Sequence, residues 1–316
     1  MGQGGVSVVA VVNPKSGGGR TAGRIAEIGG ALDAALGGAE IVLTQAPGDG
    51  ERLTRAALAR GATRIVAIGG DGTLNEAVNG FFDNGAAVNP AAEFSFAMNG
   101  SGGDFRKSFG APGDVLEAIA ALKDASPRPL DLGRVTYIDD AGASATRHFV
   151  NIASFGLSGD VVTRVNRARI AKWFGGPFAF KWHSTMAALG FRPWRVRLTV
   201  DDVFDETLSL STAAVSNGRF FGGGMMIAPA ADPADGLFDV VVIAETKTRD
   251  MIARMNDIYT GAHVTHPNVT VIRGRRVTAT PAPDQAAPVF AERDGEGGMR
   301  LPATFEILPG ALTLRI

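Results

Sequence analysis

The sequence predicts an α/β domain built on a doubly wound parallel sheet, followed by a second, mostly antiparallel, β-rich domain. Three observations predict it. Strand-like and helix-like stretches alternate regularly through the first part of the chain. Several of the strand-like runs end in glycine-rich loops. Past "ASPRPLDLGRV", the texture changes to short alternating strands separated by turns. The boundaries read from this pattern are 1–130 and 131–316.

In the first domain the strands are expected at Val6–Val12, Ile41–Thr44, Arg64–Ile68 and Phe94–Met98. Helices are expected at Thr21–Leu36, Gly50–Arg60, Thr73–Phe82 and Pro112–Lys123. Alternation of this kind makes a parallel sheet with covering helices. In the second domain "HFVNIASFG", "WRVRLTVDD", "STAAVSN", "LFDVVVIAE", "VTVIRGRRVTATP" and "ALTLRI" read as strands.

Composition narrows the function. The chain has 316 residues, room for two domains, and 45% hydrophobic content supports sizeable cores. A net charge of −1 gives no global attraction to nucleic acid. The absence of cysteine excludes disulfides, thiolate metal sites and cysteine nucleophiles, and agrees with a cytoplasmic location. "MGQGGVSVVAVVN" has no basic leader and reads as a first strand rather than a signal peptide. No window offers the 18 or so uninterrupted apolar residues that a spanning helix needs. The four histidines show no metal-ligand spacing.

The most informative stretch is "AIGGDGTLNEAVNG" (Ala67–Gly80). Asp-Gly between apolar runs is a strong hairpin signal. A hairpin needs a second period-2 strand after the turn, and none follows. Instead Leu74, Ala77, Val78 and Phe81 form the stripe of a helix, with Thr73 and Glu76 spaced for a capping box at its start. A glycine loop that opens a helix offers bare N–H groups and the positive end of a dipole to an anion. A carboxylate beside bound phosphate needs a metal ion between them, which puts Asp71 on the side of a Mg²⁺ ion. The same aspartate also reads as a plain turn cap.

Ligands of open α/β sheets sit beyond the carboxyl ends of the strands. Three such ends are glycine-rich: "NPKSGGGR" (Asn13–Arg20), "GGDGT" (Gly69–Thr73) and "NGSGGDF" (Asn99–Phe105). None has the spacing of a P-loop or of a dinucleotide-binding fingerprint.

These segments, with "DLGRV", "VSNGRFFGGGMMIAPAADPADGLFDVVV" and "RDGE", occur in the order found in the diacylglycerol-kinase catalytic family, which the chain resembles from Val11 to Ile316. The resemblance implies an N-terminal nucleotide-binding domain followed by a β-sandwich-like domain. It also implies ATP binding and Mg²⁺-dependent phosphoryl transfer to a lipid hydroxyl. It assigns Asp71, Asp294 and Glu296 to catalysis, with Asp294 as general base. Nucleotide contacts fall on Asn13, Lys15, Ser16, Gly17, Arg20, Thr44, Gly69, Gly70, Gly72, Thr73, Glu76, Gly100 and Ser101. Asp104, Asn151 and Gly156 fall on the lipid side. The turn "PAADPADGLFD" would hold a second, structural cation through Asp232, Asp235 and the Leu237 carbonyl. One departure stands out. The family reads Gly-Thr-Gly-Asn-Asp-Phe in the third loop, where this chain has Gly100-Ser101-Gly102-Gly103-Asp104-Phe105.

Two other readings share parts of this pattern. NAD kinases carry the "GGDGT" motif but not the "GGGMMIAPAADPADGLFD" segment. A catalytically silent lipid-binding protein would not need Asp71, Asp104, Asp294 and Glu296 together. The partners expected are therefore a lipid substrate and an anionic membrane surface, with no nucleic acid and a homodimer left open. Docking on the inner face of the membrane is expected from Arg164–Trp182. Between Val161 and Val200 lie Arg164, Arg167, Arg169, Lys172, Lys181, Arg192, Arg195 and Arg197 without any Asp or Glu, together with Trp173, Trp182 and Trp194.

Overall fold

In a computed structural model of the chain, residues 7–99, 103–160, 162, 193–246 and 255–316 are described. They divide into two compact units, Met1–Leu130 with Gly310–Ile316, and Asp131–Pro309. Residues Gly310–Ile316, which the sequence pattern leaves with the β-rich domain, thus belong to the first unit.

The first unit contains β1 (Val8–Val12), β2 (Glu40–Leu43), β3 (Arg64–Gly69), a short pair β4 (Phe82–Asp83) and β5 (Ala86–Ala87), and β6 (Glu93–Met98). β1 pairs with β2 and β3, and β3 pairs with β6, all parallel. Thr313 and Leu314 add a further parallel partner to β6, beside Glu93 and Phe94. Every residue of "VVAVV" and "RIVAIG" is buried, as expected of parallel strands covered on both faces. On one face α1 (Ile25–Leu36) and α5 (Val115–Ala121) pack Ile28, Leu32, Val115 and Ile119 on Val8, Ala10, Val12, Val66 and Ile68. α2 (Asp49–Ala59) and α3 (Asp71–Gly80) pack on each other and on β1 and β3. Phe81, just past α3, meets Phe94 edge to face at 5.6 Å. A one-turn helix, α4 (Asp104–Lys107), follows β6.

The helix starts depart from expectation most at α1 and α3. α1 begins at Ile25, because Ser16–Arg24 winds as a 3-10 stretch in which Gly17, Gly18 and Gly19 all have positive φ. α3 begins at Asp71 with Gly70 as an uncapped N-cap, so Thr73 and Glu76 lie inside it and form no capping box. The Glu76 carboxylate instead accepts the N–H groups of Gly48 and Gly50, both at 2.8 Å. It caps the start of α2, whose first-turn donors would otherwise lack an acceptor.

The second unit is antiparallel in each of its registered pairs. Its strands are β7 (Pro127–Asp139, from Asp131 on), β8 (Ser144–Phe149), β9 (Ile152–Gly156), β10 (Trp194–Val200), β11 (Phe204–Ser216), β12 (Phe238–Ala244), β13 (Val269–Gly274), β14 (Arg276–Pro281), β15 (Phe290–Arg293) and β16 (Glu296–Arg315, up to Pro309). Six of them close a ring in the order β9-β11-β10-β14-β16-β15 and back to β9. β11 makes closure possible. Its Phe204–Leu210 pair with β10 and its Thr212–Ser216 pair with β9. The expected sandwich-like unit is thus built around a closed barrel, which leaves those six strands no free edge.

The barrel core contains Phe149, Phe155, Phe238 and Phe305, with Phe149 stacked on Phe238 at 5.7 Å. Trp194 belongs to this core at 9% exposure, and Arg195 and Arg197 pair with Asp284 and Asp205. The part of the basic, aromatic window described from 193 onward is therefore strand, with Trp194 in the core. Arg164–Trp182 lies outside the described residues. Among the described residues no helix is long and apolar enough to cross a membrane.

Gly133 in "DLGRV" sits directly across from Phe149, and a Cβ there would lie 2.1 Å from the ring. Gly133→Ala should lower the urea unfolding free energy by about 1–3 kcal/mol through overpacking. The control is Gly30→Ala in α1, where a Cβ meets nothing within 4 Å. It should leave stability unchanged or raise it by about 0.5–1 kcal/mol.

Candidate active site

In the first unit, three loops at the carboxyl ends of β1, β3 and β6 are laced together by side chains. Asn13 Nδ2 donates to Thr73 Oγ1 at 3.0 Å, joining the first loop to the second. Asn99 Nδ2 donates to Thr21 Oγ1 at 2.7 Å, joining the third to the first. The Gly103 N–H donates to Asp71 Oδ2 at 3.1 Å, joining the third to the second. Gly69 has to be glycine because a Cβ would lie 2.4 Å from Thr73 Oγ1.

Ser16 Oγ lies 2.6 Å from Thr21 Oγ1, and the Ser16 N–H donates to the Asn13 carbonyl at 3.1 Å. The consecutive left-handed glycines 17–19 follow directly. Cβ atoms at Gly18 and Gly19 would meet nothing within 4 Å, so this backbone is open to a ligand. The Gly19 N–H donates to the Lys15 carbonyl at 3.1 Å. The two loop cations are held by the chain itself: Lys15 Nζ donates to the Gln45 carbonyl at 2.8 Å, and Arg20 Nε to the Gly17 carbonyl at 2.8 Å. Thr44 is buried beyond the end of β2, where its N–H donates to the Val12 carbonyl at 2.9 Å.

The third loop explains the Gly103 departure. Gly103 has φ 52° and ψ 39°, the left-handed conformation that asparagine also tolerates. A Cβ would lie 2.9 Å from Arg106 Nε, so glycine leaves that guanidinium its place. Asp104 opens α4, is 5% exposed, and pairs with Lys107 at 2.7 Å. Gly100 and Ser101 lie outside the described residues. Gly70 and Gly72 stand at the start of α3, on either side of Asp71.

In the second unit, Asp294 and Gly295 are the two central residues of a tight hairpin turn between β15 and β16, with Arg293 opposite Glu296. Their φ values of 47° and 84° are those that a two-residue Asp-Gly hairpin requires. The Asp294 carboxylate takes three backbone N–H groups: Val150 on Oδ2 at 2.9 Å, and Asn151 and Ile152 on Oδ1 at 2.9 and 3.2 Å. Asn151 Nδ2 donates to the Phe220 carbonyl at 2.8 Å. Its buried Oδ1 has no hydrogen-bond partner among the described residues. At Gly156, φ is 89° and a Cβ would lie 2.8 Å from the Ser211 carbonyl oxygen.

Sequence reasoning passed over Glu292. It stands in β15 at 3% exposure, directly across from Ser154. One carboxyl oxygen accepts the Ser154 hydroxyl and the other accepts the Gly295 N–H at 2.9 Å. Burial pushes its pKa from 4.5 up to about 7. The protonated form therefore stabilises the fold fully below pH 4.5, and that contribution is lost as pH rises through about 7. A charged residue inside the apolar alternation "VFAER" was the available signal. Thr21 and Asn99 were also missed. Both are short polar residues next to glycine loops, and only the fold reveals that they meet.

In the turn at 229–239 the residues expected to hold a cation have partners within the chain. Asp235 Oδ2 pairs with the Arg273 guanidinium, and Asp235 Oδ1 accepts the Leu237 N–H at 3.0 Å. Asp232 Oδ1 accepts the Ala234 N–H at 3.1 Å. Arg273 also reaches Asp239, its cross-strand partner, at 3.1 Å. Asp239 is 2% exposed, and burial raises its pKa. Among the described residues no group of three or more acidic or imidazole side chains could hold a metal. A guanidinium thus supplies positive charge beside Asp235 and Asp239.

The comparisons agree with this geometry. Residues 7–135 match the diacylglycerol kinase catalytic domain, and residues 151–316 match the YegS C-terminal NAD kinase beta sandwich-like domain. The "Probable lipid kinase YegS-like" of Chromohalobacter salexigens is 33% identical over 65% of this chain, a match that spans 61% of that relative's length. A diacylglycerol kinase of Mycobacterium tuberculosis is 29% identical over 84% of this chain and 80% of its own. Among solved structures, a diacylglycerol kinase from Bacillus anthracis shares the fold with a TM-score of 0.71 at 19% identity, covering 99% of this chain and 97% of that one. Yeast NADH kinase shares it more distantly, with a TM-score of 0.52 at 10% identity, over 99% of this chain and 83% of that one. Fold and matched domains together define a kinase of the lipid-kinase class. The chain belongs to the diacylglycerol-kinase catalytic family and carries that family's YegS-type C-terminal domain.

Because Arg273 neutralises the 235/239 carboxylates, chelation with EDTA should leave the melting temperature unchanged. Arg273→Gln should lower stability by about 1–3 kcal/mol, since buried Asp239 loses its counter-charge. Differential scanning calorimetry with and without EDTA checks both. A fall in the wild-type Tm on chelation would restore the cation.

Proposed function

We propose that the chain transfers the γ-phosphoryl group of ATP to the hydroxyl of a lipid alcohol, with Mg²⁺ as the metal. The observation that carries this reading is the lacing of three glycine loops around Asn13, Asp71 and Thr73, inside the segment that matches the kinase catalytic domain. Phosphoryl transfer asks for alignment and charge neutralisation more than covalent chemistry, and a scaffold of fixed backbone donors suits it.

The roles follow from the donors present. The Gly17 and Gly18 backbone and the start of α3 offer N–H groups to phosphate oxygens. Asp71 is the carboxylate suited to Mg²⁺, which commonly binds one or two carboxylates with substrate phosphates and water as its other ligands. When bound, Mg²⁺ neutralises charge on the transferring group. Hydrogen bonds from Val150, Asn151 and Ile152 hold the Asp294 carboxylate in one orientation, and we assign it the hydroxyl proton. Diacylglycerol, ceramide and sphingoid bases all carry such a hydroxyl.

The test is incubation with radiolabelled ATP, Mg²⁺ and a panel of these lipids in mixed micelles, with separation of the products. Asp71→Ala should remove nearly all turnover. Asp294→Asn should lower kcat by about 10²–10⁴-fold and leave ATP affinity close to wild type. Near-normal phosphorylation by folded Asp71→Ala overturns the assignment, and lost ATP binding in Asp294→Asn overturns the general-base role.

A further inference from the structure

The buried carboxyl of Glu292 has no part in the reaction as assigned so far, yet it grips the turn that carries Asp294. Asp294 is one of three non-glycine residues with positive φ among the described residues, so its backbone is strained. Two sets of bonds hold it there. On one side the Asp294 carboxylate takes three N–H groups from residues 150–152, and the Asp294 N–H returns to the Ile152 carbonyl at 2.9 Å. On the other, Glu292 takes the N–H of Gly295, the residue that completes the turn. Ser154, across the β9–β15 ladder, secures the other oxygen of Glu292.

We propose that Glu292 is a positioning residue for Asp294, fixing the turn through the Gly295 amide and making Asp294 a stronger proton acceptor when Glu292 is ionised. The proposal rests on the lipid-kinase reading above for its kinetic part alone. An apolar or amide side chain would fill the same place without the cost of desolvating a carboxyl. The charge is therefore the property that calls for an explanation. Like charges held close raise each other's proton affinity, and a better base is a faster one.

The charged groups that bear on Glu292 are few. Asp294 disfavours its ionisation and Arg293 favours it. β9 faces it with "IASFG", which contains no ionisable side chain. β16 begins with Glu296, which stands opposite Arg293. Burial places the transition near neutrality, at about 7, where it could be felt in the working enzyme.

Two measurements on the full chain test the proposal. In the first, the Gly295 amide resonance is followed in ¹⁵N-glycine-labelled protein, assigned with Gly295→Asn. It should titrate with a midpoint near 7 in wild type and be flat in Glu292→Gln, whose side-chain carbonyl keeps the amide bond without a proton to lose. Ser154→Ala should move the midpoint upward, because the serine hydroxyl stabilises the ionised form. This variant also serves if Glu292→Gln folds poorly. In the second, wild-type kcat should show a rise through about pH 7 that Glu292→Gln lacks. The two proteins should be similar at pH 6 and differ roughly tenfold at pH 8, with KM for ATP unchanged. A Gly295 amide that does not titrate between pH 5 and 9, or superimposable kcat profiles, overturns the proposal. If no lipid is phosphorylated, the functional reading fails, while the amide titration still decides whether Glu292 holds the turn.

Discussion

The Asn13–Thr73 hydrogen bond ties together two loops that would otherwise be separate exits from a buried sheet. A parallel sheet covered on both faces satisfies its backbone internally, and only at the strand ends do N–H groups become available. Those ends are entropically loose unless something joins them. Asn13, Thr73, Asn99, Thr21, Asp71 and Gly103 do this in pairs, each across a large gap in sequence. The left-handed backbone of Gly17–Gly19 is held in place because its flanks are held. The same lacing explains the small residues nearby: Gly69 yields to Thr73, and Gly17 would bring a Cβ within 3.4 Å of Asn99.

The second unit solves a related problem in the opposite way. Antiparallel strands have edges, and β11 covers two of them by pairing along its first half with β10 and along its second with β9. The closed ring brings β9 beside β15, and with it residues 150–152 to the carboxylate of Asp294. An aspartate that would be a plain turn residue in an isolated hairpin thereby becomes a fixed group with known orientation. The turn is an Asp-Gly hairpin, whereas the Asp-Gly at 71–72 opens a helix. The dipeptide is the same; the following residues decide. "LNEAV" carries a helical stripe, and "EGGMRLPATF" pairs back on β14 and β15.

Charge shows where local reading stops. Lys15 and Arg20 look from the sequence like phosphate ligands, yet each is bonded to a backbone carbonyl of its own unit. Glu76 looks like a cap for its own helix and serves the neighbouring one. Asp235 looks like a cation ligand and meets Arg273, a residue far along the chain that cross-strand pairing of β12 and β13 brings near. For Lys15, Glu76 and Asp235 the partner is one that the fold, rather than spacing in the sequence, brings near.

By itself the sequence determined the alternation of strands and helices, the change to an antiparallel unit past residue 130, and the three glycine loops with Asp71, Asp104 and Asp294. These are local properties: periodicity, turn chemistry and the lack of a Cβ act within a few residues, so they can be read in order. Tertiary structure alone decided that Gly310–Ile316 joins the first unit, that β9 and β15 close a ring, and that Trp194 is core. It alone also placed Glu292 against Gly295 and Ser154. Such outcomes depend on which strands pair, and pairing is settled by burial and hydrogen bonding summed over the whole unit rather than by any neighbourhood of the chain.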